Sequence, residues 1–169
     1  VAADGAHGAE AGVGHNQDAG EEVAMAKSIE QMAMELADRE GIRELPLKYC
    51  DCVWRSDMTG IVDLFANDGE FITKGFKREQ RATGREGLLK LYGGFGQGDL
   101  SPRPYIHNHV IDLQGGGRAT GRCYVELRNF KKNLEWVGTG YYEDEYVKLG
   151  DGWKFKSRLF HPVHMTVTP

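Results

Sequence analysis

The chain has 169 residues, of which 40% are hydrophobic and 27% charged, with a formal net charge of -4. That length supports one domain with a substantial core. Lys and Arg are dispersed among carboxylates rather than gathered in a stripe, which argues against a nucleic-acid partner, and no apolar run is long enough to span a bilayer.

The start, Val1-Ala2-Ala3-Asp4-Gly5, lacks the basic and apolar regions of a secretory signal. The cysteines are Cys50, Cys52 and Cys123. Their odd number, and the closeness of Cys50 to Cys52 on a helix, fit a reducing compartment, so a cytoplasmic location is expected. The Cys-x-Cys pair lacks further ligands at metal-binding spacing, so no metal is expected.

Residues 1–20 are rich in Gly and Ala and form a tail ahead of a single domain over 21–169. Glu21 to Glu40 predicts a helix with Met25, Ile29, Met32 and Leu36 on one face. Gly41 punctuates it. A second helix carries Ile42, Leu45, Tyr49, Cys52 and Val53, with a kink or late start at Pro46. Asp57 predicts the N-cap of a short helix, Thr59 to Ala66, and Asn67-Asp68-Gly69 predicts a turn. A strand over Glu70 to Phe76 follows, and a helix over Thr83 to Tyr92. The basic cluster Lys74 to Arg81 reads as a solvated loop. Gly93-Gly94-Phe95-Gly96-Gln97-Gly98 lacks the strand-before, helix-after setting of a phosphate loop and reads as a lip near a cavity mouth. Four long strands then run roughly over Tyr105–Gln114, Arg118–Phe130, Leu134–Leu149 and Gly152–Thr166. Helices first and strands after predict an α+β domain, its helices packed on one face of a curved, mainly antiparallel sheet.

The chain resembles the NTF2-like superfamily, and within it the SnoaL-like group, over about residues 38–165. The resemblance rests on Tyr49, on Asp57 through Phe65 before the Asn-Asp-Gly turn, and on His107-Asn108-His109-Val110-Ile111-Asp112. It rests also on Ala119-Thr120-Gly121, on Tyr142-Glu143-Asp144-Glu145-Tyr146, and on Trp153 and Arg158. It implies a cone-shaped, cystatin-like fold, assembly into dimers or trimers, and a small hydrophobic or aromatic ligand. Members include dehydratases and isomerases that need no cofactor, and non-catalytic subunits of ring-hydroxylating dioxygenases. Tyr49 matches the tyrosine of the bile-acid dehydratases. Their catalytic histidine falls near Pro104, its aspartate partner near Leu127, and a late arginine at His161. The aspartate of scytalone-type members falls at Trp54.

With most of that acid–base set missing, replacements come from strand parity, because alternate residues share a face. Cys123, Val125 and Leu127 fall on the face expected to line the cavity, with Ala119 and Gly121. Trp153, Phe155 and His161 share the apolar face of the last strand, with Ser157 and Leu159. Tyr49, His107 and His161 are the candidate catalytic groups, and Trp54 and Asn108 join the candidate ligand wall. Parity with the matched positions turns Asn108 inward, whereas the company of Ile111 and Leu113 turns His107 and His109 inward. A bulge would reconcile either view. The expected function is a cavity protein that binds a small apolar or aromatic hydroxylated molecule, with cofactor-independent lyase or isomerase chemistry as the activity it would have if it is an enzyme. Ligand binding without turnover, or a structural subunit, are the alternatives.

Overall fold

The computed structural model describes residues 27–74 and 79–166. The tail read over 1–20, the first residues of the expected opening helix, and Gly75 to Arg78 of the basic cluster lie outside these.

One helix, α1 (Ile29–Arg55), replaces the two expected. A capping box starts it: Ser28 Oγ accepts from the Gln31 N–H at 3.1 Å, and Gln31 Oε1 accepts from the Ser28 N–H at 2.9 Å. Ser56, in the left-handed region at φ 58°, ends it. Neither Gly41 nor Pro46 breaks it. A proline inside a helix costs about 3 kcal/mol. Here the offset is burial of Ile42, Leu45, Tyr49, Cys52 and Val53 against the sheet. Gly41 is a packing position, because a Cβ there would lie 3.0 Å from Trp153 Cδ1. The expected apolar stripe of the N-terminal half is not buried: Ile29 is 83% exposed and Leu36 68%.

Asp57 caps α2 (Met58–Asp63) as expected, its Oδ1 accepting from the Gly60 N–H at 2.8 Å. β1 (Phe65–Thr73) begins earlier than the turn signal suggests. The Asn67-Asp68-Gly69 segment is absorbed as an irregularity in the ladder between Phe65 and Glu70. β2 (Gln80–Thr83), with only Ala82 buried, has no alternating apolar pattern to announce it. After α3 (Gly84–Gly93) come β3 (Pro102–Gly115), β4 (Arg118–Asn129), β5 (Glu135–Leu149) and β6 (Gly152–Met165).

Among the described residues, six strands form one mixed, open sheet in the order β2-β1-β6-β5-β4-β3. Only β1 with β6 is parallel. The fold is α+β, with α1 and α3 closing the concave face over a core that includes Tyr49, Tyr92, Val125, Tyr142, Tyr146 and Phe155. No helix among the described residues is long and apolar enough to cross a membrane.

Candidate functional site: a tyrosine-walled cavity above a buried arginine

The open end of the cone holds a cavity of about 430 Å³. Tyr49 and Val53 from α1, Phe71 from β1, Leu127 from β4, Val137 and Tyr142 from β5, and Phe160 from β6 form its apolar wall. Gly94, Phe95, Gly96 and Gln97 lie at its rim, which agrees with the lip read from the glycine run. The volume falls in the range of pockets that enclose a small organic molecule. A groove of about 480 Å³ between β2 and α3 is lined in part by the exposed Arg81 and Lys90 and lacks that aromatic wall.

The tip of the cone is filled instead. Cys123 and Phe155 are fully buried there, and Val125 with them. Trp153 packs under α1, its Nε1–H donating to Asp38 Oδ1 at 2.9 Å. Trp54 donates its Nε1–H to Pro104 O at 2.9 Å, with its ring edge-on to Tyr105 and Phe130. Of the residues expected to line the cavity or act in it, Tyr49 and Leu127 stand on its wall, while Cys123, Val125, Trp153 and Phe155 are core and Trp54 lies outside the lining.

Two bulges decide the histidines. In β3, Ile106 pairs with Val125 and His109 with Cys123, so His107 and Asn108 together oppose Tyr124. Both are exposed, and His109 is the one that turns inward. In β6, Phe155 pairs with Tyr146 and Ser157 with Glu145, leaving Lys156 as the extra residue. Parity inverts there. Trp153 and Phe155 point inward before the bulge, Arg158 and Phe160 after it. His161 therefore stands on the convex face and not in the cavity. Its ring stacks on Tyr141 at 4.7 Å, and its Nε2 lies 2.8 Å from Glu143 Oε2, which belongs to an exposed network with Arg122.

The inverted parity also buries an arginine. Arg158 is 0% exposed, and its guanidinium carbon sits 3.8 Å from the Tyr142 ring centre, 4.3 Å from Tyr49 and 4.6 Å from Phe155. Its counter-ion is Asp144, 2% exposed, with Oδ1 at 3.5 Å from Nε. None of the three guanidinium nitrogens has a hydrogen-bond partner among the described residues, and neither has Asp144 Oδ1. Asp144 Oδ2 accepts from the Tyr146 hydroxyl at 2.9 Å, and that oxygen lies 3.0 Å from His109 Nε2. With Asp144 ionised, the Tyr146 proton is committed to it, so His109 must donate through Nε2. Gly121 makes room for this, since a Cβ there would lie 3.0 Å from His109 Nε2. On the cavity side the Tyr92 hydroxyl donates to the Tyr49 hydroxyl at 3.3 Å.

Burial pushes Tyr49 and Tyr142 well above the ordinary phenol range, with the Arg158 cation opposing it. Both are neutral hydrogen-bond donors. Burial pushes Asp144 up to about 6 against the pull of Arg158 and Tyr146. Burial, helped by the Arg158 and Arg43 cations, pulls His109 down to about 4.

These two shifts give stability slopes of opposite sign. From about pH 4 to about 6 the native Asp144 holds a proton that the unfolded chain has lost, so its contribution falls as pH rises. From about pH 4 to about 6.5 the unfolded His109 holds a proton that the native form lacks, so its contribution rises. Relative to the native chain, Asp144→Asn is expected to gain stability as pH rises from 4 to 6, by on the order of 2 kcal/mol. His109→Asn is expected to lose stability over that range, by less because the ring is only partly buried. Urea titrations at each pH measure this, and differences of the same sign in both variants would overturn the assignment.

Comparison with known proteins agrees with this architecture. An NTF2-like protein with a cystatin-like fold from Novosphingobium aromaticivorans superposes with a TM-score of 0.69 at 21% identity, covering 81% of this chain and 91% of that one. The hexachlorocyclohexane dehydrochlorinase LinA-type3 from Novosphingobium barchaimii gives 0.69 at 18% identity, over 80% and 92%. A protein of unknown function from Mycobacterium tuberculosis gives 0.69 at 20% identity, over 80% and 77%. At such identities the likeness concerns the fold alone. No curated protein matches the chain. The family model described as a SnoaL-like domain matches residues 34–159, most of the chain and every element from the second turn of α1 into β6, so this protein belongs to the SnoaL-like domain family.

Proposed function

We propose that this chain binds a small aromatic or apolar molecule bearing a hydroxyl or carbonyl oxygen, and holds it in the cone cavity without the acid–base pair of the family's dehydratases. The observation that carries this reading is the chemistry of two wall positions. Pro104 and Leu127 stand where the resemblance implies the catalytic histidine and its aspartate, and both line the cavity. Among the described lining residues there is no His, Asp or Glu to act as base, and the two wall tyrosines are held neutral by burial, so no group poised to take a proton stands within hydrogen-bond reach of a ligand there. What remains is an apolar wall with tyrosine hydroxyls, which suits orientation of one oxygen on a flat ligand. The convex network of Arg122, Tyr141, Glu143 and His161 is the face we assign to self-association into a homo-oligomer.

Thermal shift against hydroxylated aromatics, steroids and aromatic polyketides tests the reading. A ligand binding only the folded form at a hundredfold excess over its Kd stabilises it by about 2.7 kcal/mol. The expected result is a shift with hydroxylated aromatics that Leu127→Trp, which narrows the cavity, abolishes. Tyr49→Phe is expected to weaken binding about tenfold, the value of one neutral hydrogen bond. A panel without any shift, or one unaffected by Leu127→Trp, would remove the cavity from consideration. Turnover of a bound compound would return the acid–base reading.

A further inference from the structure

The position of Arg158 narrows the ligand class, on the premise that the cone cavity is the binding site. An ion pair kept for stability alone would be expected to satisfy its donors. This one does not: three guanidinium nitrogens and one carboxylate oxygen lack partners among the described residues, in a fully buried setting. Arg158 is not itself on the cavity wall, but Tyr49 and Tyr142 are, and the cation lies against the faces of both rings. It therefore sits one aromatic layer from the ligand.

A cation on the face of a phenol draws electron density from the ring and makes its hydroxyl a stronger donor. Its field also reaches past the ring, because little high-dielectric solvent intervenes. Asp144 cancels part of it, since its carboxylate opposes the Arg158 cation at both Tyr49 and Tyr142, but the cation has the larger effect on each ring. Asp144 is the counter-charge, but it makes one long contact, and its other oxygen is engaged by Tyr146, away from the wall. Tyr92, Tyr146, Cys50 and Cys123 are pushed upward by burial and stay neutral, and His109 is neutral above about pH 4. Exposed cations and carboxylates elsewhere on the surface are screened by solvent. No carboxylate lines the cavity among the described residues. An oxygen accepting from a tyrosine hydroxyl on this wall meets a positive potential.

We propose that the cavity takes its ligand in anionic form, as a phenolate or an enolate, with Arg158 setting that preference from behind Tyr49 and Tyr142. The ligand class is thus an acidic phenol or an enolisable carbonyl compound, and neutral ethers of the same shape are disfavoured.

The probe is 7-hydroxycoumarin, whose neutral and anionic forms differ in excitation, with 7-methoxycoumarin as a neutral isostere. Both are titrated with the full chain across a pH series. The expected result is a bound hydroxycoumarin that ionises at least about one unit below its value in water, equivalent to a tenfold preference for the anion. The ether should bind at least about tenfold more weakly than the anion. The paired replacement Asp144→Asn with Arg158→Met, which removes both charges together, should return the bound probe to its ionisation in water or above while still binding the ether. A bound hydroxycoumarin in the native chain that ionises at or above its value in water overturns the preference and leaves the cavity reading standing. A depression that persists in the paired variant overturns the role of Arg158. Should neither compound bind, and the wider panel give no shift, the cavity reading itself falls and the preference with it.

Discussion

Arg158→Ala is expected to destabilise the chain by about 3–5 kcal/mol, the cost of leaving one partner of a buried pair uncompensated. The substitution leaves Asp144 buried without a counter-charge, and it opens a void between Tyr49, Tyr142 and Phe155. The informative comparison is Arg158→Met joined to Asp144→Asn. The wild-type pair meets at 3.5 Å with its donors unsatisfied, so it is a poor example of its kind. Replacing such a pair by apolar or neutral groups of similar size is often neutral or stabilising by about 1–4 kcal/mol. The double variant should therefore recover most of the loss. Urea denaturation of the native chain, the single variants and the double variant closes the cycle. Should the double variant be as unstable as Arg158→Ala, the pair is a structural necessity and its poor geometry needs another reason.

Gly140→Ala is expected to cost about 3 kcal/mol or more, at the upper end of overpacking effects. A Cβ at Gly140 would overlap the backbone oxygen of His161 and lie 2.7 Å from Phe160 Cε2. The oxygen belongs to the adjacent strand and cannot retreat without disturbing the β5–β6 ladder. The ring lines the cavity, so a displaced Phe160 also alters the ligand wall. Gly138 is equally crowded, against His164 O and Met165 Sδ. Both glycines lie where the register shifts between Thr139 and Gly140, so they permit β5 to approach β6 closely as the sheet bends. Gly150→Ala serves as the control, since nothing lies within 4 Å of a Cβ there. It should change stability by less than about 0.5 kcal/mol. A small loss at Gly140, similar to that at Gly150, would mean that the strands separate freely and that the tight approach is not required.

Much of the architecture was legible because it rests on local rules. Asp57 is a cap because its side chain can reach an orphan amide one turn on, and four long alternating strands joined by glycine or asparagine turns have few alternatives to an antiparallel meander. The β4 face carrying Ala119, Cys123, Val125 and Leu127 points inward as parity requires, since the ladder to β5 is regular over that stretch. The continuous α1 was not legible, because a proline and a glycine signal interruption locally and only the buried stripe beneath them outweighs it. Nor was the burial boundary within α1: Ile29, Met32 and Leu36 keep helical spacing, but all three side chains are left exposed.

The candidate site divides in the same way. Tyr49 and Leu127 could be placed on the cavity wall from helix and strand periodicity. Tyr142, Asp144 and Tyr146 also alternate on β5, and a buried aspartate between two tyrosines was a readable signal that the register of β5 alone would have supported. His161, His107, Asn108 and Arg158 could not be placed so, because a single inserted residue inverts every side chain after it. The bulges at His107-Asn108 and at Lys156 leave little mark in residue type, and they arise from how neighbouring strands pair. The sequence by itself therefore determined the fold class, the Asp57 cap, the turns between the long strands and the inward face of each regular strand, all of which depend on chemistry within a few residues. The tertiary structure alone decided which histidine lies inside, that Arg158 lies behind the tyrosine wall, and where the core stops and the cavity begins. Each of these depends on register and packing between segments far apart in the chain.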